Sequence, residues 1–237
     1  MTGGGSDDGA AGRTGALGDV HFVQARRTMV LEQLARRGIS DPRVLGAMAS
    51  VPRHAFVDPS LYEAAYEDRP LPIGFEQTIS QPYMVARATE LARPQARDRA
   101  LEVGAGCGYQ LAVLAELCHE VFGVEIVPAL AARARQTLAQ LGYSNAVVEQ
   151  FDGSAGWPEH APFDIIIVSA GAPRVPPLLV DQLADGGRMV IPVGPPLEQE
   201  LVLIHRVGDR YETSSDTRCR YVDLQGRYGF GGSPPEA

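Results

Sequence analysis

Residues 98–109 read Asp-Arg-Ala-Leu-Glu-Val-Gly-Ala-Gly-Cys-Gly-Tyr, and this stretch decides the fold. An apolar run at 100–103 ends in glycines at every second position, and a helical pattern of apolar residues follows at 109–117. A strand, a glycine turn and a helix in this order form the first unit of an open α/β sheet, whose ligand crevice lies at the carboxyl end of the strand. The glycines allow close approach of backbone to ligand, because no Cβ is in the way.

The residues around the glycines favour a ligand that carries no phosphate. A dinucleotide fingerprint would need glycine at Tyr109, and a P-loop would need Gly-Lys-Ser/Thr, yet no Lys or Arg lies between Arg99 and Arg133. Glu102 would repel a phosphate and attract a cation, and Glu125, at the end of the next apolar run, could accept both ribose hydroxyls. The loop therefore predicts a site for S-adenosylmethionine, which bears a sulfonium and an amine. A purely structural glycine turn is the alternative.

Composition restricts the class of protein. The 237 residues, 45% of them apolar, fit one compact α/β domain with additions. A net charge of −8 argues against non-specific electrostatic binding to nucleic acid or to an anionic membrane. The Gly/Asp-rich N-terminus lacks the apolar segment of a signal peptide, and no run approaches the ~20 apolar residues of a membrane span. Three cysteines without paired metal spacing predict no metal site and free thiols in a reducing cytoplasm. The protein is separately expected to be a monomer.

The other apolar runs predict a Rossmann-like, doubly wound and mostly parallel sheet with N-terminal helices and antiparallel C-terminal strands. Residues 1–18 are predicted as a disordered tail and 231–237 as a loose tail, because they contain almost no large apolar groups. A single domain is predicted at 19–230, with helices and a substrate and cofactor loop at 19–97 and the cofactor-binding core at 98–230. Helices are predicted at 19–38, 41–48, 82–91, 109–117, 128–141 and 177–183, and strands at 100–103, 120–124, 146–151, 163–168, 188–193, 200–207 and 218–224.

Residues 51–82 are predicted as a long functional loop. The segment has few periodic apolar positions and many turn formers, and a loop of this length inside a compact domain is usually functional or disordered. Its large apolar residues, among them Tyr66, Leu71 and Ile79, argue against disorder. The two helices that precede the loop could form a helix-turn-helix, but they lack a strongly basic face. They are instead expected to pack on the sheet as a lid or a brace.

Motifs inside and outside the glycine loop resemble one protein family. Residues 66–74 read Tyr-Glu-Asp-Arg-Pro-Leu-Pro-Ile-Gly, 77–83 read Gln-Thr-Ile-Ser-Gln-Pro-Tyr, and 186–194 read Gly-Gly-Arg-Met-Val-Ile-Pro-Val-Gly. With the loop at 101–109, these segments are similar to the protein-L-isoaspartate (D-aspartate) O-methyltransferases, and the likeness extends over about 51–229. The Thr-Ile-Ser-Gln-Pro block is highly specific, whereas most class I methyltransferases share the glycine loop.

The resemblance implies an enzyme of the EC 2.1.1.77 type that repairs damaged proteins. Such enzymes transfer a methyl group from S-adenosylmethionine to the free α-carboxylate of isoaspartyl residues, with S-adenosylhomocysteine as product. The ester then closes to a succinimide, which hydrolyses in part to normal aspartate. By the resemblance, Ser80 is the catalytic residue, which orients the carboxylate. The implied cofactor-binding residues are Thr78, Ile79, Glu102, Gly104, Ala105, Gly106, Cys107, Gly108, Glu125, Ile126, Asp152 and Gly153, and the implied substrate-binding residues are Ser169, Ala170, Pro192, Val193, Gly194 and Gln199.

The chain departs from the family pattern at two positions, which keeps an alternative open. Glu76 stands where members often have glycine, and Asp223 where proline is common. A methyltransferase of the same family that serves one dedicated peptide or protein in maturation is therefore the runner-up. A non-catalytic S-adenosylmethionine-binding regulator is disfavoured by the intact 78–80 block, and an NAD-dependent oxidoreductase by Tyr109 in the fingerprint position.

Overall fold

The computed structural model describes residues 20–232, and both predicted tails lie wholly or mostly outside this range. Helix α1 (20–28) continues as π-helix over Met29–Leu34 and as 3-10 helix over Ala35–Arg37. The other helices are α2 (Pro42–Ser50), α3 (Pro82–Ala92), α4 (Tyr109–Ala115), α5 (Pro128–Gln140) and α6 (Pro177–Asp181). The strands are β1 (Leu71–Gly74), β2 (Gln77–Ile79), β3 (Arg99–Val103), β4 (Glu120–Glu125), β5 (Ala146–Gln150), β6 (Phe163–Val168), β7 (Leu183–Val193), β8 (Gln199–Val207) and β9 (Arg210–Cys219).

The seven strands β3–β9 form one sheet in the order β5-β4-β3-β6-β7-β8-β9. The neighbouring strands β5, β4, β3, β6 and β7 run parallel to one another, whereas β8 pairs antiparallel with both β7 and β9. The chain winds outward from β3 to β5 and then returns to β6 on the other side of β3. The resulting crevice lies at the carboxyl ends of β3 and β6, where open α/β sheets bind their ligands. This arrangement confirms the predicted mostly parallel, doubly wound sheet.

Apolar side chains cover both faces of the sheet. Alternation along β3 places Leu101 and Val103 in the cluster on the α6 side, and Ala100 in the larger cluster with the N-terminal helices, α3 and α4. Glu102 lies on the same face as Ala100 and is buried. The N-terminal helices contribute fully buried residues such as Met29 and Met48 to that larger cluster, so they act as the expected brace.

The predicted loop at 51–82 contains a hairpin that the sequence pattern did not reveal. Strands β1 and β2 pair antiparallel with Leu71 opposite Ile79, and 3-10 turns at Arg53–Phe56 and Pro59–Ala64 precede them. The two turn residues, Phe75 and Glu76, both have positive φ, at 55° and 58°. Two-residue hairpins of this kind usually carry Asn-Gly or Asp-Gly, so the turn lacked its usual signal.

The prediction of a last strand at 218–224 was wrong. The strand is β9, which ends at Cys219, and the chain beyond it crosses the carboxyl edge of the sheet as the C-terminal strap (residues 221–230). The strap pairs with the loop after β6, since Gly171 N donates to Val222 O (2.8 Å) and Leu224 N to Gly171 O (2.7 Å). β9 was missed because it is a polar, almost fully exposed edge strand without apolar alternation.

Smaller boundary differences concern β7 and α6. β7 begins at Leu183, five residues before its predicted start, because Gly186 and Gly187 form an irregularity inside the strand and do not precede it. α6 ends at Asp181, two residues before its predicted end. Gly38 ends the first helical segment with φ 95°, which confirms the predicted stop.

Candidate active site

The glycine loop between β3 and α4 is held against the end of β4. The backbone N–H groups of Gly104 and Ala105 both donate to Val124 O, at 2.9 and 3.0 Å. Gly104, Gly106 and Gly108 have φ of 81°, 54° and 89°, a region that side-chain-bearing residues rarely adopt. The loop therefore needs glycine for its backbone conformation.

Glu125 links the ends of β4 and the glycine loop. Its Oε2 accepts a hydrogen bond from Gly106 N (2.7 Å) and its Oε1 one from Val127 N (2.8 Å). The side chain is buried yet lines the crevice together with Ile126. Each oxygen keeps acceptor capacity beyond its backbone bond, so this carboxylate can receive two hydroxyl donors from a ligand.

Glu102 is a buried carboxylate with one unpartnered oxygen. Its Oε1 accepts from Ser169 Oγ (2.7 Å), whereas Oε2 has no partner in the described part of the chain. Burial raises the pKa of the Glu102 carboxyl well above its usual range, the Ser169 hydrogen bond opposes the rise, and the charge of Glu125 adds to it. A buried carboxylate oxygen without a partner is costly, and a cationic group of a ligand would satisfy it.

Two spaces that share Thr78, Gly104, Gly106 and Ser169 in their linings surround the glycine loop. The first, called the crevice, is lined by Thr78, Gly104, Gly106, Glu125, Ile126 and Gly153 among the predicted cofactor-binding residues. The second, called the inner cavity, is lined by Thr78, Ile79, Glu102, Gly104, Ala105, Gly106 and Cys107 from the same set. The structure thus brings together most of the predicted cofactor-binding residues. The crevice residues that the sequence analysis did not assign are Ile73, Gln77, Val103, Val124 and the strap residues Val222, Asp223, Leu224 and Gln225.

Gly108 and Asp152 have other contacts than the expected ones. A Cβ on Gly108 would lie 3.2 Å from Ala134 Cβ, so this glycine allows the loop to pack on α5. The Asp152 carboxylate accepts from Ser154 N (2.9 Å) and Arg227 N (2.8 Å), and it thereby fastens the strap to the end of β5. Burial would raise the pKa of Asp152, but these N–H donors hold it below its ordinary value. The contact of Asp152 with an adenine group stays a prediction.

Ser80 lines both the inner cavity and a wider space, called the cleft. It follows β2 directly and is half-buried. The N-cap of α3 is Gln81, without a side-chain capping bond, so Ser80 does not serve as the helix cap. The cleft has a volume of about 490 Å³ and is lined by Pro70, Thr78, Ser80, Gln81, Met84, Ser169 and residues 218–222. Ser80 therefore faces both spaces, as a residue between a cofactor and a substrate must.

The predicted substrate-binding residues fall into two groups. Ser169 lines the crevice, the inner cavity and the cleft, and Ala170 lines the crevice. The other four support the loop after β6 and line none of these spaces: Pro192, Val193, Gly194 and Gln199.

Gln199 shows how this support works. It is 1% exposed, its Oε1 accepts from Tyr221 N (2.9 Å), and its Nε2 donates to Pro195 O (3.2 Å). In the same region, Ala172 N donates to Pro192 O (2.9 Å) and Gly194 N to Ala172 O (3.0 Å). These bonds position the start of the strap beside the cleft. Direct contact of these residues with substrate stays a prediction.

Residues 20–232 show no cluster of His, Cys, Asp or Glu arranged for a metal ion. In the same range, no helix has both the length and the apolar character that crossing a bilayer requires.

A glycine loop between two buried strand-end carboxylates, above a crevice without lining Lys or Arg, defines a class I S-adenosylmethionine-dependent methyltransferase. Residues 25–229 match the family model for protein-L-isoaspartate(D-aspartate) O-methyltransferase. Protein-L-isoaspartate O-methyltransferase 1 of Syntrophobacter fumaroxidans is 53% identical over 213 residues, which cover 90% of this chain and 100% of the relative. The relative from Methanoregula boonei is 51% identical over 205 residues, with 86% and 94% covered. The chain belongs to the protein-L-isoaspartate O-methyltransferase family.

A solved structure agrees with this assignment. A candidate protein-L-isoaspartate O-methyltransferase from Plasmodium falciparum, crystallised with S-adenosyl-L-homocysteine, superposes with a TM-score of 0.74 at 26% identity. The alignment covers 84% of this chain and 98% of that protein.

Proposed function

We propose that this protein methylates the free α-carboxylate of isoaspartyl residues in damaged proteins and so starts their repair. The observation that carries the proposal is the position of Ser80, which lines both the inner cavity beside the glycine loop and a cleft of about 490 Å³ that is large enough for peptide side chains. We further propose that the enzyme acts as a cytoplasmic monomer with 19–230 as a single domain.

The residues around the glycine loop suit the cofactor. Glu102 Oε2 is free to pair with a positive amino group, and Glu125 can accept the hydroxyls of a ribose. Gly153 lies in the crevice wall, where a Cβ would come within 2.2 Å of Val124 Cγ2. When bound, S-adenosylmethionine supplies a methyl group on a sulfonium centre, an electrophile that needs no metal.

The acceptor requires orientation more than it requires a base. An α-carboxyl has a pKa near ~3.5 and is already ionised at neutral pH. The Ser80 hydroxyl can donate a hydrogen bond to this carboxylate and fix one oxygen toward the inner cavity. Alignment of this kind can contribute up to about 7–11 kcal/mol to catalysis.

Cys107 is excluded as a competing nucleophile, although it lines the inner cavity. Burial raises the pKa of the Cys107 thiol to about 11, so the thiol stays protonated at neutral pH. A protonated thiol is a poor nucleophile.

The test is transfer of labelled methyl from S-adenosylmethionine to a short isoaspartyl peptide, with the matched aspartyl peptide as control. Base-labile label on the isoaspartyl peptide alone is the expected result, since methyl esters hydrolyse in base. Label on neither peptide, together with normal cofactor binding, would reject general repair in favour of one dedicated substrate. Glu76 and Asp223, which depart from the family pattern near the cofactor site, favour that second candidate.

A further inference from the structure

The lining of the cleft includes two arginines as well as Ser80. Arg218 lies at the end of β9 and Arg220 lies between β9 and the strap, and both are exposed and line the cleft. Within residues 20–232, neither guanidinium has a carboxylate within 4.0 Å. The chain contains no lysine, so arginine supplies every permanent positive side-chain charge.

The cleft is locally positive although the whole chain carries a charge of −8. Its lining includes no Asp or Glu, and its other polar side chains are uncharged: Thr78, Ser80, Gln81, Ser169 and Tyr221. Asp68, directly behind Gln81, is already paired with Arg37. Two negative groups lie nearby: Glu200 is opposite Arg218 in the β8/β9 ladder, and Asp223 borders the adjoining crevice.

We propose that Arg218 and Arg220 select isoaspartyl sites flanked by acidic side chains. This inference rests on the proposed function and specifies its substrate class. Guanidinium groups bind carboxylates through two parallel hydrogen bonds, and they stay positively charged at every physiological pH. Arg220 makes the larger contribution, because Glu200 faces Arg218 across the ladder and partly compensates its charge. A net-negative protein would otherwise repel acidic substrates, so the two arginines set the preference locally.

The test is competition between isoaspartyl peptides of equal length whose flanking residues are Glu, Gln or Lys. Full-length wild type is expected to methylate the Glu peptide about tenfold more efficiently than the Lys peptide, as two exposed ion pairs allow. Arg220→Gln should reduce this ratio about fivefold and Arg218→Gln less, with kcat/KM falling most for the Glu peptide. Arg210→Gln, an exposed change on β9 away from the cleft, is the matched control and should leave the ratio unchanged.

Reversing the charge of Arg220 distinguishes a loss of substrate recognition from a loss of folded structure. Arg220→Glu should invert the preference and improve the Lys peptide relative to wild type, an effect that misfolding cannot produce. Equal rates on the three peptides in wild type would overturn the inference and leave the proposed function intact. Failure to methylate any of them would overturn the proposed function itself, and the inference with it.

Discussion

The two sides of the candidate active site are built on different principles. The cofactor side consists of strand ends and a glycine loop. Its two carboxylates are buried, and backbone N–H groups of the loop are hydrogen-bonded. The cleft side consists of an edge strand, the strap and the segment after a hairpin, and its arginines are exposed. Substitutions on the first side disturb buried polar groups and packing, whereas substitutions of the two arginines on the second side change solvated charges. The first side therefore fixes the chemistry, and the second can set specificity.

The sharpest test of the cofactor side is Glu102→Gln. This change removes the negative charge that we expect to pair with the cofactor amine. Breaking a buried ion pair costs about 3–5 kcal/mol, so cofactor affinity should fall by roughly 150- to 5,000-fold, measured by titration calorimetry. Glu149→Gln, an exposed change on β5, is the control and should leave the affinity unchanged.

The pH dependence of stability gives the same variant an independent check. Because the folded pKa of Glu102 is raised, its contribution to the free energy of unfolding is full below about pH 4.5 and declines as pH rises toward the folded pKa. Without cofactor, Glu102→Gln should remove this decline and be at least as stable as wild type at neutral pH. A variant less stable than wild type at neutral pH would contradict the account of Glu102 as a costly buried charge.

Ser80→Ala probes the boundary between the two sides. Loss of a single orienting hydrogen bond in a preorganised site typically lowers turnover by about 10²-fold. The cofactor Kd should stay within about twofold, because the predicted contact of Ser80 is with substrate. Single-turnover methylation at saturating cofactor measures the first quantity. An unchanged rate would remove Ser80 from the catalytic role.

Gly153→Ala tests how closely the cofactor side is packed. The added Cβ would lie 2.2 Å from Val124 Cγ2, so β4 or the end of β5 must shift. Overpacking of this kind costs about 1–3 kcal/mol in the free energy of unfolding, measured by denaturant titration. Gly46→Ala in α2 meets nothing within 4 Å and should instead stabilise the protein by about 0.5–1 kcal/mol. Equal effects of the two substitutions would contradict the packing argument.

Glu76→Gly is the smallest expected change and concerns the hairpin next to the crevice. Glycine adopts a positive φ without strain, but it also increases the conformational entropy of the unfolded chain. The first effect should be the larger, so the free energy of unfolding should rise by about 0.5 kcal/mol. Glu76→Ala removes the charge but keeps the strained backbone, so it should give no such gain. A gain with alanine as well would assign the effect to charge.

The sequence predicted the cofactor side far better than the cleft side, for a physical reason. Glycines after a buried strand and acids at strand ends are local patterns, and they located the crevice, Glu102 and Glu125. The hairpin was not predicted, because Phe75 and Glu76 adopt a turn conformation in which glycine or asparagine is usually found.

Tertiary contacts explain the remaining misses. The apolar residues at 221–224 looked like a strand, but they belong to a strap whose hydrogen bonds go to the loop after β6. Similarly, nothing local in the sequence indicates that Asp152 and Gln199 hold the strap. Such contacts join positions more than 20 residues apart, and periodicity in one segment cannot reveal them.

The strap has a consequence for the order of events in a catalytic cycle. Its residues Val222–Gln225 border the crevice, while Tyr221 and Val222 border the cleft, so one short segment is a wall of both. When one ligand has already ordered this wall on binding, the second ligand binds without the free-energy cost of ordering it again. By thermodynamic linkage, the factor by which cofactor tightens peptide binding equals the factor by which peptide tightens cofactor binding. A shared wall of this kind couples the two sites, so that departure of one product weakens the binding of the other.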